Sequence, residues 1–129
     1  MIIDTSALIA IVKDEPEAAG FEELLAKVGG VISAGTLAEA LIVGGGFAGP
    51  DGMAEIETML RNAGTTVVPV DETQARLVGR AYLRYGRGSG HPARLNYGDC
   101  FSYALAIIRD EPLLFKGDDF IHTDVRRVE

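Results

Sequence analysis

The first twelve residues, MIIDTSALIAIV (Met1–Val12), set out the plan of the fold. Met1-Ile2-Ile3 is an apolar run that predicts a strand, and Asp4-Thr5-Ser6 ends it with residues that favour the N-cap of a helix. The apolar run from Ala7 to Val12 predicts that helix. A short strand that passes directly into a helix is typical of the α/β class.

The same alternation continues along the chain. Further strands are predicted at 31–32, 66–70 and 113–115. Helices are predicted at 17–28, 36–43, 53–61 and 72–85, and a last helix contains Asp99 and ends at Pro112, while loops are predicted at 44–52 and 86–92. We therefore expect an α/β sandwich with a short, mostly parallel central sheet flanked by helices. The length of 129 residues predicts a single domain over 1–129.

The composition is that of a folded protein outside the membrane. Hydrophobic residues make up 47% of the chain and the mean hydropathy is +0.16, which excludes a disordered chain. No apolar run reaches the roughly 18–20 residues of a membrane span, and the first residues lack the basic segment of a signal peptide. Cys100 is the only cysteine, which excludes an internal disulfide and favours a reducing compartment. We expect a cytoplasmic protein.

The charge is unevenly distributed. The net charge of −7 argues against a nucleic-acid binder when the chain is taken as a whole. The segment from Thr73 to Gly98 nevertheless has no acid and carries five arginines, namely Arg76, Arg80, Arg84, Arg87 and Arg94. Three of them are spaced by four residues and fall along one stripe of a predicted helix. Such a stripe is either a solvated face or a site that holds a polyanion.

Four acids occupy positions that solvation does not explain. Asp4 ends the first strand, and Asp118, or its neighbour Asp119, follows the last one. Glu39 is the only charge in TLAEALIV, and Asp99 is the only acid in YGDCFSYALAII. Helix capping or an ion pair explains each acid singly. Because ligands bind beyond the carboxyl ends of parallel strands, the four together predict a carboxylate cluster there.

A cluster of carboxylates favours a particular chemistry. The acids repel one another unless cations neutralise them. An all-oxygen ligand set suits Mg²⁺ or Mn²⁺ rather than zinc, and His91 and His122 form no zinc-binding spacing. A divalent ion held by carboxylates is suited to phosphodiester hydrolysis. The arginine stripe would then hold the phosphate backbone of the substrate.

Four segments together resemble a known family. The stretch IIDTSALIAI, the helical Glu39, LNYGDCFSYALA and LLFKGDDF followed by TD are similar to the PIN-domain ribonucleases, specifically the VapC toxins of bacterial toxin–antitoxin pairs. The similarity extends from Met1 to about Val128. It implies a PIN-like three-layer sandwich. The resemblance also implies site residues: the metal-binding and catalytic acids Asp4, Glu39, Asp99 and Asp118, with Asp119 as the alternative fourth acid and Ser6 as a supporting hydroxyl.

The resemblance implies an activity and partners as well. It implies an Mg²⁺-dependent endoribonuclease, with Mn²⁺ as a substitute, that cuts cellular RNA, commonly a tRNA. Water would attack the phosphodiester without a covalent enzyme intermediate and leave a 5′-phosphate and a 3′-hydroxyl. It also implies a homodimer and inhibition by a cognate VapB antitoxin. The expected RNA contacts, which would equally suit part of an antitoxin, are Arg76, Arg80, Arg84 and Arg87.

Other classes compete with this interpretation. Gly44, Gly46 and Gly49 fit the dinucleotide pattern G-x-G-x-x-G, with Asp71 in the place of the ribose acid. The segment before these glycines reads as a helix and an acid follows them, so we expect an interhelical loop instead. A phospho-acceptor receiver domain would use Asp4, Asp71 and Lys116 but would leave Glu39 and Asp99 without a role. A non-catalytic protein with a structural metal is the remaining alternative.

Overall fold

Four short parallel strands form the centre of the computed structural model, which describes residues 1–129. Ile2 pairs with Val31 on one side and with Leu113 on the other, so the first strand is an inner strand of the sheet. The strands are β1 (Ile2–Ile3), β2 (Val31–Ser33), β3 (Thr66–Val68) and β4 (Leu113–Leu114), in the spatial order β3-β2-β1-β4. Every neighbouring pair is parallel, which confirms the predicted fold class.

Helices cover both faces of this sheet. They are α1 (Thr5–Val12), α2 (Ala18–Val28), α3 (Ala34–Ala48), α4 (Pro50–Ala63), α5 (Glu72–Tyr85) and α6 (Asp99–Arg109). Because side chains alternate along a strand, Ile2 and Ile3 point to opposite faces. Ile2 packs in a core with Leu105 of α6 and with residues of α5, and Ile3 packs with Leu8 of α1 and Ile56 of α4. The result is the expected three-layer sandwich.

The predicted loop at 44–52 is wrong. Helix α3 continues to Ala48, and α4 begins at Pro50, so that Gly49 alone separates them. Gly49 has φ +61°, a conformation that glycine adopts at little cost. Proline at the first position of α4 fits because its fixed φ suits a helix start and that position needs no N–H donor.

The crossing of α3 and α4 explains why these glycines are helical. A Cβ atom on Gly44 would lie 2.6 Å from Cδ1 of Ile56. One on Gly52 would lie 2.1 Å from the carbonyl oxygen of Gly44. The two helices therefore approach at a distance that only glycine permits, and their packing outweighs the low helix propensity of glycine, about 1 kcal/mol per residue.

None of the helices is long and apolar enough to cross a membrane.

Candidate active site

Asp4 is a buried acid at the carboxyl end of β1. Its side chain is almost completely inaccessible and caps α1. Oδ2 accepts hydrogen bonds from the backbone N–H of Ser6 at 3.0 Å and from its hydroxyl at 2.6 Å, and Oδ1 accepts one from the Ser102 hydroxyl at 2.5 Å. Burial raises the pKa of Asp4, and the bonds from Ser102 and Ser6 oppose that rise. Both oxygens are therefore fixed in direction.

A chain of hydroxyl groups supports Asp4 from behind. The Ser102 Oγ lies 3.0 Å from Oγ1 of Thr36, and because Ser102 gives its proton to Asp4, Thr36 is the donor in this contact. The Ser6 hydroxyl also accepts a hydrogen bond from the backbone N–H of Lys116 at 3.0 Å. The network thus ties α1, α3, α6 and the segment after β4 to one carboxylate. Ser6 was predicted to lie here, whereas Ser102 and Thr36 were missed.

Asp99 combines a helix cap with an open oxygen. Its Oδ2 accepts from the backbone N–H of Asn96 at 2.9 Å, and Oδ1 of Asn96 accepts from the N–H of Asp99 at 2.8 Å, a reciprocal pair of the capping-box kind. No hydrogen bond from the protein reaches Oδ1 of Asp99. Since no fully buried side-chain oxygen or nitrogen in the chain lacks a partner, that oxygen is at least partly accessible.

The other acids act on Asp99 through their charge. Burial is the largest cause that raises the pKa of Asp99 to about 7, and the bond from Asn96 opposes it. The negative charges of Asp4, Asp119 and Glu39 add to the rise. These acids come from three different regions of the chain, and the fold brings them within electrostatic reach of one another.

Glu39 reaches this cluster from α3. Its carboxylate lies against the backbone of Gly98, directly before α6, where a Cβ atom would be 1.7 Å from Oε2. Burial raises the pKa of Glu39, the Thr5 hydroxyl lowers it, and the charge of Asp4 raises it further. Glu39 forms no ion pair with any lysine or arginine.

Asp118 and its neighbour Asp119 are both candidates for the fourth acid. Asp119 is among the charges that raise the pKa of Asp99, and Asp118 is not. Both line an open cavity of about 320 Å³, together with Arg87, Pro92, Ala93, Arg94 and His122. Asp119 is therefore the stronger candidate on electrostatic grounds, and the identity of the fourth acid stays a prediction.

A divalent cation such as Mg²⁺ needs several oxygen ligands within coordination distance. No three His, Cys, Asp or Glu side chains converge closely enough to form a complete ligand group in the structure. The four acids nevertheless offer only hard oxygen donors. Burial raises the pKa of Asp99 to about 7, and repulsion from the other three acids adds to that rise. A hard cation such as Mg²⁺ would offset that repulsion. The chemistry of the residues fits such an ion.

The four predicted arginine contacts separate into two groups. Arg76 pairs with Glu72 at 2.9 Å, and the Arg84 guanidinium lies 4.7 Å from the ring centre of Tyr85. Arg80 is exposed on the same helix and has no acidic partner. The structure therefore places none of these three beside the acids.

Arg87 alone of the four lies in the cavity that contains Asp118 and Asp119. Arg94 joins it there, although it was not among the predicted contacts. Neither arginine forms an ion pair within 4.0 Å, so both guanidinium groups are free for a ligand. The sequence signal for Arg94 was its place in the acid-free segment from Thr73 to Gly98.

The structure lacks the arrangement of residues that the dinucleotide-binding and receiver-domain interpretations require. Gly44 and Gly46 lie inside α3 rather than in a turn between a strand and a helix. Asp71 accepts from the backbone N–H of Gln74 at 2.8 Å and acts as the N-cap of α5. The Lys116 ammonium forms ion pairs with Glu15 and Glu17. Neither a dinucleotide site nor a receiver-type triad is present.

Comparisons with known proteins agree with this arrangement. The model of the PIN domain family matches residues 1–126. Ribonuclease VapC28 of Mycobacterium tuberculosis is 50% identical over 128 residues, which cover 98% of this chain and 96% of that protein. Ribonuclease VapC42 of the same organism is 46% identical over 127 residues, or 98% and 97% of the two chains.

A solved structure has the same fold. The crystal structure of M. tuberculosis VapC20, described as a toxin that cleaves the sarcin–ricin loop, superposes with a TM-score of 0.79 over 98% of this chain and 97% of that one. The sequences are 16% identical, so this likeness concerns the fold alone. The family match over nearly the whole chain, the identity to the ribonucleases and the four-acid edge lead to one conclusion: the chain is a member of the PIN domain family, in the group of the VapC ribonucleases.

Proposed function

We propose that this protein is the endoribonuclease toxin of a VapBC toxin–antitoxin pair and that it hydrolyses RNA phosphodiester bonds with the help of Mg²⁺. The observation that carries the proposal is that Asp4, Glu39 and Asp119 lie within electrostatic reach of Asp99, whose Oδ1 receives no hydrogen bond from the protein. Family membership supports the reaction class, since the relatives above are named ribonucleases.

Each acid has a role in this proposal. Asp4 and Asp99 are the principal ligands of Mg²⁺, or of Mn²⁺ in its place, and Glu39 and Asp119 complete the set. When bound, the ion supplies activation of a water molecule and stabilisation of charge on the phosphate oxygens. Ser6 and Ser102 hold both oxygens of Asp4 in place, so that this ligand does not need to reorganise. The capping bond to Asn96 holds one oxygen of Asp99 and leaves the other free.

The substrate contacts follow from the free cations near the acids. Arg87 and Arg94 in the cavity beside Asp119 are suited to phosphate groups, because a guanidinium binds phosphate through two hydrogen bonds. His122 lines the same cavity. Arg76, which is paired with Glu72, contributes less than these residues. We expect a cellular RNA, such as a tRNA, as the substrate, with a 5′-phosphate and a 3′-hydroxyl as the product ends.

The proposal is tested by cleavage of RNA with the purified protein. We expect cleavage that requires Mg²⁺ or Mn²⁺, stops with EDTA and is abolished by Asp99→Asn. Asp51→Asn is the matched control, because Asp51 also lies in the first turn of a helix but is exposed. Circular dichroism would verify that both variants fold. Full cleavage by the Asp99→Asn protein would exclude the mechanism.

The regulatory part of the proposal has a separate test. We expect induction of the protein in a bacterial host to arrest growth, and we expect co-expression of the neighbouring upstream reading frame, a short DNA-binding antitoxin of the VapB type, to restore it. The toxin is proposed to act as a homodimer, which analytical ultracentrifugation would measure. Growth arrest by Asp99→Asn equal to that of the wild type would contradict the link between arrest and cleavage.

A further inference from the structure

Gly98 occupies a position whose backbone does not require glycine. Its φ of −64° and ψ of −39° are those of an ordinary right-handed helix. The space beside it is the constraint. A Cβ atom at this position would lie 1.7 Å from Oε2 and 2.3 Å from Cδ of Glu39. The carboxylate of Glu39 therefore occupies the place that any other residue at position 98 would fill with its side chain.

The same helix crossing contains a second contact of this kind. A Cβ atom on Gly35 would lie 2.6 Å from Cδ1 of Phe101. Gly35 and Glu39 are four residues apart and share one face of α3, while Gly98 and Phe101 lie at the start of α6. Each helix thus presents a glycine that receives a side chain of the other. These two reciprocal contacts set how α3 and α6 approach.

Few other contacts determine where the Glu39 carboxylate lies. It has no ion pair, and the Thr5 hydroxyl is the one hydrogen-bonding group that acts on its pKa. The charge of Asp4 disfavours its ionised form. A carboxylate at the end of a flexible, half-buried side chain has other rotamers available. The clearance at Gly98 is what allows it to lie beside Asp99.

We propose that Gly98 is a positioning residue that admits the Glu39 carboxylate into the acid cluster and thereby completes the ligand set for a divalent cation. The inference rests on the proposed function. It assigns to the glycine of the NYGDC segment a role that is separate from backbone conformation and from helix capping.

The test is Gly98→Ala with the affinity for Mn²⁺ as the main readout. Because the group that must move is the end of a flexible side chain, we expect the methyl group to displace Glu39 rather than to unfold the protein. Titration calorimetry should show a loss of Mn²⁺ affinity of about tenfold, the size typical of lost support around a metal ligand. The melting temperature of the metal-free protein should change by less than about 3 °C. The kcat for RNA cleavage should fall, with KM nearly unchanged.

Repeating Gly98→Ala in a protein that lacks the Glu39 carboxylate shows whether the substitution acts through the position of Glu39. Glu39→Ala removes the carboxylate and leaves room for a methyl group at position 98. We expect Gly98→Ala to cause no further loss of Mn²⁺ affinity in that background. Gly79→Ala is the control, since Gly79 is a helical glycine of α5 with no atom within 4 Å of its Cβ position. Its Mn²⁺ affinity should equal that of the wild type.

Two results would overturn the proposal: an unchanged Mn²⁺ affinity in Gly98→Ala, or an equal loss with and without Glu39. Failure of the proposed function would look different. In that case the wild type would not cleave RNA, while the four Mn²⁺ titrations would still show whether the effect of Gly98→Ala depends on Glu39.

Discussion

Both halves of α3 pack against another helix through glycine, but the two contacts have different roles. Near its C-terminus, α3 crosses α4, where Gly44 and Gly52 bring two backbones together against the apolar side chain of Ile56. Near its N-terminus it meets α6, where the clearance is filled by a charged side chain. None of the atoms nearest to the Cβ positions of Gly44 and Gly52 belongs to a titratable group, and we interpret the first crossing as a stabilising contact. The second places an acid next to other acids.

A neighbouring group that fills the Cβ position of a glycine does not by itself indicate a functional site. What distinguishes the α6 crossing is the nature of the group that enters the space. At the α4 crossing the obstacle to a larger residue is partly backbone, which cannot move easily. At the α6 crossing it is the mobile end of Glu39. The same substitution should therefore mainly affect stability at one crossing and metal affinity at the other.

The largest expected effect is on stability at the α4 crossing. A Cβ atom on Gly52 would meet the carbonyl oxygen of Gly44 at 2.1 Å, so Gly52→Ala must separate the helices. We expect the free energy of unfolding to fall by about 3 kcal/mol or more, at the upper end of the cost of overpacking. Urea denaturation would measure it, with Gly46→Ala of α3 as the control because its Cβ position is open. A loss below about 1 kcal/mol would remove the distinction between the two crossings.

The next effect is the pH dependence that Asp99 contributes at the α6 crossing. The pKa of Asp99 is about 7 in the folded protein and 3.8 as the ordinary value, so the folded state holds the proton more tightly. Stability contributed by the protonated form is complete below about pH 4 and is lost as the pH rises towards 7. At about 1.4 kcal/mol per pKa unit, the free energy of unfolding would fall by about 4 kcal/mol over this range. Solvation of the accessible Oδ1 reduces the expected fall to roughly 2 kcal/mol.

Asp99→Asn should remove this dependence in metal-free protein. We expect the variant to exceed the wild type by roughly 2 kcal/mol near pH 8 and to match it near pH 4, because asparagine does not ionise and still accepts the bond from Asn96. Urea denaturation in EDTA across this range would measure the difference. Parallel pH profiles for the two proteins would contradict the assignment.

The smallest of these effects concerns the hydroxyl groups behind Asp4. Ser102→Ala would leave Oδ1 of Asp4 without its donor in a buried place, at a cost of about 1–2 kcal/mol. Ser89→Ala is the control, since its hydroxyl bonds to the Gly86 carbonyl in an exposed loop. Denaturation measurements that give both variants the same stability would show that the network does not support Asp4.

Much of the fold could be predicted because its local signals agree. The predicted bounds of α5, 72–85, coincide with the structure, in which Asp71 is the N-cap. The unusual positions of Asp4, Glu39 and Asp99 could also be predicted, since each acid interrupts an apolar context. The predicted loop at 44–52 was wrong because the helical state of its glycines depends on the contact with α4, which no local sequence pattern indicates.

The roles of other site residues could not be predicted from the sequence. Asp118 and Asp119 are adjacent in an irregular segment, so nothing periodic indicates which of them turns towards Asp99. Ser102 and Thr36 are small hydroxyl residues on apolar faces, and no sequence pattern distinguishes a hydroxyl that supports Asp4 from any other buried hydroxyl. Gly98 precedes a helix with ordinary dihedral angles, so its reason for being glycine exists only across the contact with α3.

The pairing of β1 with β4 has a consequence for synthesis of the chain. Ile2 and Ile3 pair with Leu113 and Leu114, so an inner strand of the sheet joins the beginning of the chain to its end. Asp4 leaves the ribosome well before Asp119. Contacts so distant in sequence form late in folding. The complete acid cluster therefore cannot assemble before Asp119 has been translated, and a product truncated before that residue lacks one of its acids.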